Sequence, residues 1–159
     1  MDFAVRPVRE ADAAGLSELI RGLELFVRLS SEEPDVTEAR VAKHLAMCLA
    51  DDSHSLFVAT DPAEQVVAYA AVHWLPYLFL TGPEGYLSEL FVSAALRGRG
   101  VGTALLDVVV SEARERGCAR LMLEAVRSRE SYTRGFYSDR GWVERGDMAN
   151  LVYDLQVHP

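Results

Sequence analysis

Three glycines and two arginines stand together in the middle of the chain, in a combination suited to binding a phosphate. The stretch reads Arg97-Gly98-Arg99-Gly100-Val101-Gly102-Thr103. Glycines leave backbone N–H groups open to close approach, and the N-terminus of a helix favours an anion beside it. Two guanidinium groups add fixed positive charge. The pattern therefore predicts a site for a phosphate-bearing cofactor.

The spacing of these glycines excludes two common phosphate loops. A P-loop ends in Gly-Lys-Ser/Thr, and no lysine follows a glycine in this chain. A dinucleotide fingerprint needs G-x-G-x-x-G, but its third glycine would fall on Thr103 or Leu105. The stretch also lies after several strand-like segments rather than in an opening βαβ unit.

A single carboxylate interrupts the apolar segment that precedes the glycines. Glu89 lies at the centre of residues 86–93, which have the composition of a strand. Burying a carboxylate is costly unless it is paired or has a function. Strict alternation would place Glu89 on the face of Leu87 and Phe91, opposite Ser88. Glu89 is therefore a candidate for proton transfer, and a structural carboxylate bonded to backbone or to an arginine is the alternative.

The hydrophobic pattern predicts the strands and helices that must position these groups. Strands are predicted at 3–8, 55–60, 65–74, 86–93, 120–126, 142–144 and 151–155. Helices are predicted at 10–26, 37–49, 101–116 and 131–140, with Gly117 ending the third of them. This order predicts one α/β domain over residues 1–159, in which helices cover both faces of a mixed sheet.

Composition and charge narrow the class of protein further. The chain has 159 residues and a formal net charge of −8, which argues against a nucleic-acid partner. Cys48 and Cys118 show no metal-site spacing and the four histidines are scattered, so we predict no metal site and a reducing compartment. The N-terminus lacks the pattern of a signal peptide, and the apolar stretch 66–80 is too short to span a membrane. We predict a cytoplasmic protein.

The glycine stretch resembles the signature of a known superfamily. Arg97-x-x-Gly100-x-Gly102 is similar to (Gln/Arg)-x-x-Gly-x-(Gly/Ala), the acetyl-CoA signature of the Gcn5-related N-acetyltransferase (GNAT) superfamily. In that superfamily the signature follows the fourth strand and opens the third helix, which is the position predicted here.

A second resemblance lies about 35 residues further along the chain. Residues 130–142 are similar to the later motif of the same superfamily, Asn-x-x-Ala-x-x-Phe-Tyr-x-x-x-Gly-Phe. The matching positions are Phe136, Tyr137, Gly141 and the aromatic Trp142. Glu130 stands where asparagine is usual and Thr133 where alanine is usual. The two motifs and the strand order together cover nearly the whole chain.

The resemblance implies a fold, a cofactor and a set of roles. The fold would be a mixed, mostly antiparallel twisted sheet of about seven strands with four flanking helices, and family members of this kind suggest a homodimer. Acetyl-CoA would donate an acetyl group to an amine, with residues Arg97 to Thr103 around its pyrophosphate. The backbone of Leu90, Phe91 and Val92 would polarise the thioester carbonyl where the strands splay apart. Tyr137 would protonate the departing thiolate.

The base that deprotonates the amine is left open by the sequence. The superfamily often has an acidic pair on this strand, and its first member is frequently the base. Here Ser88 takes the first place and Glu89 the second. Glu89, Glu124 in the next strand and a chain of ordered waters therefore remain as alternatives. A cluster of arginines is either a partner for the adenosine 3′-phosphate or a solvated group: Arg127, Arg129 and Arg134.

The acceptor is predicted to be a small cationic amine. Segments around Leu25, Phe26, Leu29, Val36 to Glu38 and Tyr86 to Val92 look like the di- and polyamine N-acetyltransferase branch. Acidic and aromatic side chains in the two predicted specificity segments suit a cation; they are Glu32, Glu33, Asp35, Trp74, Tyr77, Phe79 and Glu84. Transfer to a protein or peptide amine, and a CoA-binding module without turnover, are the alternatives.

Overall fold

The computed structural model describes residues 2–23 and 30–155, which form two compact units that meet in sequence between Glu124 and Ala125. The predicted end of the first helix at Phe26, and the likeness at Leu25, Phe26 and Leu29, lie outside the described residues. The prediction of a single domain over residues 1–159 stays a prediction. We describe each unit by itself.

The first unit contains one mixed sheet whose strands lie in chain order. They are β1 (Ala4–Pro7), β2 (His54–Thr60), β3 (Val66–Leu75), β4 (Glu84–Val92) and β5 (Arg120–Leu123). The pairs from β1 to β4 are antiparallel, whereas β4 and β5 run parallel. A parallel pair needs a long crossover, and the helix that follows the glycine stretch supplies it.

Four α-helices lie in the described residues. They are α1 (Ala13–Arg21), α2 (Pro34–Cys48), α3 (Val101–Glu115) and α4 (Glu130–Thr133). Helix α2 begins three residues before the predicted Thr37, because a proline fits the first turn of a helix, where its missing N–H is not needed. Gly117 follows α3 with a φ of 67°, as its predicted terminating role requires.

Helices pack on both faces of the sheet, as predicted. On one face, α1 and α2 bury an apolar cluster that includes Leu16, Leu45 and Tyr69 of β3. On the other face, α3 buries Leu105 and Val109, neither of which has any exposed surface. Both layers fix β3 and β4, the strands on which the candidate residues lie.

The described residues form five strands, so the predicted count of about seven is wrong for this part of the chain. Segments 142–144 and 151–155 have no strand structure, and β5 stops at Leu123 instead of 126. Their apolar side chains are largely exposed, Val143 by 87% and Leu151 by 90%. Apolar alternation predicts a strand only where one face is buried and the backbone finds a ladder partner. Neither condition holds for these two segments.

The second unit has little regular structure. The predicted helix 131–140 is divided into α4 and a 3-10 turn at Ser138–Arg140. Gly135 lies between them with a φ of 73°, which ends the first helix. None of the helices within residues 2–23 and 30–155 combines the length and the apolar character needed to cross a bilayer.

Candidate active site

The C-terminal half of β4 has a free edge. Its pairing with β5 ends at Leu87 and Leu123, while β4 continues to Val92. The ladder with β3 continues beyond this point, from Glu89 to Val92. Leu90, Phe91 and Val92, whose backbone is predicted to polarise the thioester carbonyl, lie on this part of β4. An edge of this kind can accept an extended ligand through backbone hydrogen bonds.

The glycine stretch follows β4 after a 3-10 turn at Ala94–Leu96. Gly98 and Gly100 have φ values of 75° and 85°, in the left-handed region that favours glycine. A Cβ built on either residue would meet no atom within 4 Å, so the space above both backbones is open. Gly100 is also the residue that caps the start of α3.

The start of α3 has backbone donors that lack a helical acceptor. The N–H of Ala104 bonds to Gly100 O at 3.0 Å. The N–H groups of Gly100, Val101 and Gly102 meet no backbone acceptor among the described residues. Such donors at a helix start hold anions well. The arrangement thus fits a pyrophosphate.

The two arginines of the stretch are placed to add charge. Arg97 and Arg99 are exposed, and neither pairs with a carboxylate within the part of the chain that the structure describes. Thr103 lies in the first turn of α3. The structure therefore brings all seven residues of the predicted phosphate site to one continuous loop and helix start, next to the free edge of β4.

A bulge in β4 changes the face on which its polar residues lie. Ala71 of β3 pairs with Glu89, whereas the next residue, Val72, pairs with Leu87. Ser88 is therefore extra, and the alternation of β4 is reversed across it. Strict alternation was a wrong assumption here: Ser88 and Glu89 share one face of the sheet, with Phe91, while Leu87 points to the other.

Glu89 is held by a tyrosine from the neighbouring strand. The hydroxyl of Tyr69 donates a hydrogen bond to Glu89 Oε2. Tyr69 is buried, and this burial together with the charge of Glu89 raises the pKa of its phenol well above the usual range. The phenol therefore remains a donor. Glu89 itself is half-buried.

A histidine and a serine form a second polar pair on the same face. His73 Nε2 lies 2.9 Å from Ser88 Oγ, and the Ser88 hydroxyl is also 3.3 Å from Ala71 O. The His54 ring packs edge-on against that of His73, with centroids 4.5 Å apart. Burial and His54 lower the pKa of His73, which favours the neutral imidazole.

Glu124, the other carboxylate considered for proton transfer, lies just after β5 and is exposed. Burial of Tyr86 raises the pKa of its phenol, and the charge of Glu124 raises it further. In contrast to Glu89, Glu124 stands outside the sheet ladder.

Three of the seven acidic and aromatic acceptor candidates are engaged in other contacts or buried. Glu32 accepts hydrogen bonds from Arg40 at 2.8 and 2.6 Å, and these bonds lower its pKa to about 2. Glu84 is 1% exposed and paired with Arg120. The remaining candidates divide by exposure: Trp74 is buried, whereas Glu33, Asp35, Tyr77 and Phe79 are available at the surface or nearly so.

Tyr137 belongs to the second unit. Its ring packs edge-on against Phe136 and Trp142, with centroid distances of 4.9 and 6.2 Å. Burial raises the pKa of Tyr137, although the positive charge of Arg129 opposes the shift. The phenol is thus protonated at neutral pH, as a proton donor must be.

The second unit also contains the arginines considered for the 3′-phosphate. Arg127 Nε donates to Glu144 Oε1 at 3.0 Å, and Tyr132 donates to the other oxygen of the same carboxylate. Arg134 stacks over Phe136 at 5.7 Å. Arg127 is therefore already paired with a carboxylate, which weakens its case as a phosphate ligand.

Sequence reasoning missed Tyr69 and His73 as members of the site. Both lie on β3, and each contacts its partner on β4 across the sheet. Residues 69 and 73 are an even number of positions apart in one strand, so both side chains lie on the same face. The sequence holds no signal for the bulge at Ser88, which depends on how two strands pair. The described residues contain no cluster of histidine, cysteine and acidic side chains that could hold a metal ion.

Comparison with known proteins finds relatives that are named as N-acetyltransferases. The Oryza sativa subsp. japonica protein named "Probable glucosamine 6-phosphate N-acetyltransferase 2" is 33% identical in an alignment of 150 positions, which covers 83% of this chain and 86% of that protein. Thialysine N-epsilon-acetyltransferase of Mus musculus is 28% identical over 128 residues, 75% of this chain and 72% of that protein.

Solved structures share the fold. Glucosamine-6-phosphate N-acetyltransferase from Arabidopsis thaliana superposes with a TM-score of 0.76 at 18% identity, covering 97% of this chain and 100% of that chain. A transcriptional regulator from Bacillus halodurans C-125 gives 0.83 at 21% identity, with the same coverage. The model of the acetyltransferase (GNAT) family matches residues 21–142. The chain therefore belongs to the GNAT family of acyltransferases, whose members use acetyl-CoA as the acetyl donor.

Proposed function

We propose that the protein transfers the acetyl group of acetyl-CoA to the primary amine of a small cationic metabolite. The observation that carries the proposal is the end of the β4–β5 ladder at Leu87, with a carboxylate, Glu89, on the part of β4 that continues beyond it. Donor and acceptor sites on one short strand bring an amine to a bound thioester.

The donor would lie along the edge of β4 and end at the glycine stretch. Backbone groups of Leu90, Phe91 and Val92 would bind its extended arm and polarise the carbonyl that becomes an oxyanion. Arg97, Arg99 and the N–H groups of the α3 start would bind the pyrophosphate. When bound, acetyl-CoA supplies the activated thioester.

The acceptor amine must lose a proton before it can attack. Glu89 is half-buried and offers a carboxylate, whose orientation the Tyr69 hydrogen bond fixes. An anion in this place attracts an ammonium group and draws it towards the edge of β4. Tyr137 would donate the proton that the leaving thiolate takes up.

The acceptor class follows from charge and from the relatives. The accessible carboxylates Glu33, Asp35 and Glu89 favour a cation. Two relatives carry the names of glucosamine 6-phosphate and thialysine N-acetyltransferases, and both named acceptors have a primary amine on a small molecule. We propose further that the protein acts as a homodimer in the cytoplasm.

The experiment is a thiol-release assay with acetyl-CoA and separate panels of polyamines, amino acids, amino sugars and peptides. We expect amine-dependent release of CoA thiol and a product heavier by one acetyl group, with one cationic small-molecule class preferred. Release only with peptides would favour a protein acetyltransferase. Binding of acetyl-CoA, seen as a rise in melting temperature, without release from any amine would contradict the proposed activity.

A further inference from the structure

The face of β3 and β4 that lies towards α1 and α2, which we call the acceptor face, contains two polar pairs. They differ in whether a proton can be passed on from them. Glu89 is bonded to Tyr69, and Ser88 is bonded to His73. The bulge at Ser88 places both pairs side by side on the face towards α1 and α2. The amine of the proposed reaction would meet both, so the question is which pair removes its proton.

The Glu89 pair has no onward path for a proton. Tyr69 already donates its hydroxyl hydrogen to Glu89 and is buried among Leu16, Leu45 and their neighbours in the apolar cluster. A proton on Glu89 could not move on to a phenol that is itself protonated. Glu89 is better suited to bind the ammonium as an anion.

The Ser88 pair does have an onward path. The single hydroxyl hydrogen of Ser88 has two acceptors in reach, His73 Nε2 at 2.9 Å and Ala71 O at 3.3 Å. When it is donated to His73, the lone pairs of Ser88 Oγ are free to accept a hydrogen bond from an ammonium. His73 is half-buried at the strand end near His54, which is bonded to Ser53 in an exposed turn.

We propose that His73, acting through Ser88, takes the proton that the acceptor amine loses, while Glu89 binds the ammonium. One N–H bond of the ammonium breaks and an O–H bond forms on Ser88. The original O–H bond of Ser88 breaks and an N–H bond forms on His73 Nε2. The products are a neutral amine, a neutral serine and an imidazolium, which returns its proton to solvent. The inference rests on the proposed acetyl transfer.

Groups from three elements face the imidazole and set its behaviour. His54 of β2 lowers the pKa of His73, as burial does, while Glu89 of β4 raises it. Tyr86 of β4 packs against the His73 ring with centroids 6.0 Å apart. Cys48 lies at the end of α2. Burial raises the pKa of its thiol, and the charge of Glu89 raises it further. Tyr86 and Cys48 are therefore neutral wherever His73 titrates.

The test is the pH dependence of kcat for the wild-type protein and for His73→Gln. A neutral imidazole is required, so wild-type activity should rise with pH through a limb below the usual histidine value of about 6.5 and then stay level. In His73→Gln this limb should be lost and kcat at pH 7 should fall about 100-fold. Acetyl-CoA affinity and melting temperature serve as the controls for folding.

Further variants make the test specific. His54→Gln should keep the limb but move it to higher pH, since His54 lowers the pKa of His73. Ser88→Ala should lose as much activity as His73→Gln, and the double variant should lose no more than either. Added imidazole should restore part of the activity of His73→Ala.

Two results would overturn the inference, and a third would contradict the proposed acetyl transfer on which it rests. A His73→Gln protein with the wild-type limb and rate would exclude His73 as the proton acceptor. A Ser88→Ala protein with wild-type kcat would exclude the relay even if His73→Gln failed to fold. A wild-type protein that acetylates no amine would contradict the proposed function itself.

Discussion

The glycine stretch and the acceptor face of the sheet present opposite kinds of chemistry. The stretch offers backbone N–H groups at Gly100 to Gly102, open space at Gly98 and Gly100, and two guanidinium groups that pair with no carboxylate among the described residues. The face of β3 and β4 offers side chains that are bonded to one another across two strands. The first can bind one shape of anion regardless of what is transferred. The second depends on each partner, so substrate choice and proton transfer belong there.

The largest effect should come from filling the open space above the glycine stretch. Gly100→Val places a branched side chain at a φ of 85°, where the bare backbone now faces open space. We expect acetyl-CoA affinity to fall by about 100-fold or more, equivalent to about 2.8 kcal/mol, in a calorimetric titration.

The chain supplies a matched control for this variant. Gly117 ends the same helix, also has a positive φ, at 67°, and also has no atom within 4 Å of a built Cβ. Both valine variants should lose about 1–2 kcal/mol of stability through backbone strain. Only Gly100→Val should lose acetyl-CoA affinity. Equal loss of affinity in the two would mean that strain, not occlusion, is responsible.

Substitutions on the acceptor face should change the rate or the binding of the amine and leave acetyl-CoA affinity unchanged. Glu89→Gln keeps the shape of the side chain and its ability to accept the Tyr69 hydrogen bond, but removes the charge. We expect kcat/KM for the amine to fall about 100-fold, with acetyl-CoA affinity unchanged. Wild-type kcat/KM in this variant would show that the amine binds elsewhere.

A smaller loss is expected from the second unit. Tyr137→Phe removes a phenol whose pKa burial has raised, and so removes a protonated donor at neutral pH. Steady-state kinetics should show kcat about 10-fold lower while acetyl-CoA affinity is retained. An unchanged rate would leave Tyr137 as a packing residue beside Phe136 and Trp142.

The smallest effect should follow from Glu32, which is tied to Arg40 rather than free for a substrate. Its pKa is lowered to about 2, so the ionised form stabilises the folded state above the ordinary carboxylate pKa of about 4.5. This contribution is lost as the pH falls from 4.5 towards 2. Melting curves should show a shallower decline with acid for Glu32→Gln than for the wild type. Acceptor preference should not change, and an altered preference would return Glu32 to the acceptor site.

The difference between the two regions also explains what could be predicted from sequence. A glycine at a strand-to-helix junction acts through its own backbone, so the loop at residues 97–100 and the helix that begins at Val101 could be predicted from the local sequence. The roles of Ser88 and Glu89 depend on the bulge opposite Ala71 and Val72, which no local pattern encodes. Tyr69 and His73 enter the site only through cross-strand pairing. Segments 142–144 and 151–155 were predicted as strands because alternation alone does not reveal whether a face is buried.

The central claim is that the donor binds to backbone at the edge of β4 and the glycine stretch, apart from the side-chain pairs of the acceptor face. Hydrogen exchange of the backbone amides, measured with and without acetyl-CoA, tests this most directly. We predict slower exchange in segments 88–92 and 97–103, and no change in the β2–β3 ladder around Ala59 and Ala68 beyond general stabilisation. Protection centred elsewhere, with segments 88–92 and 97–103 exchanging as in the free protein, would contradict the account.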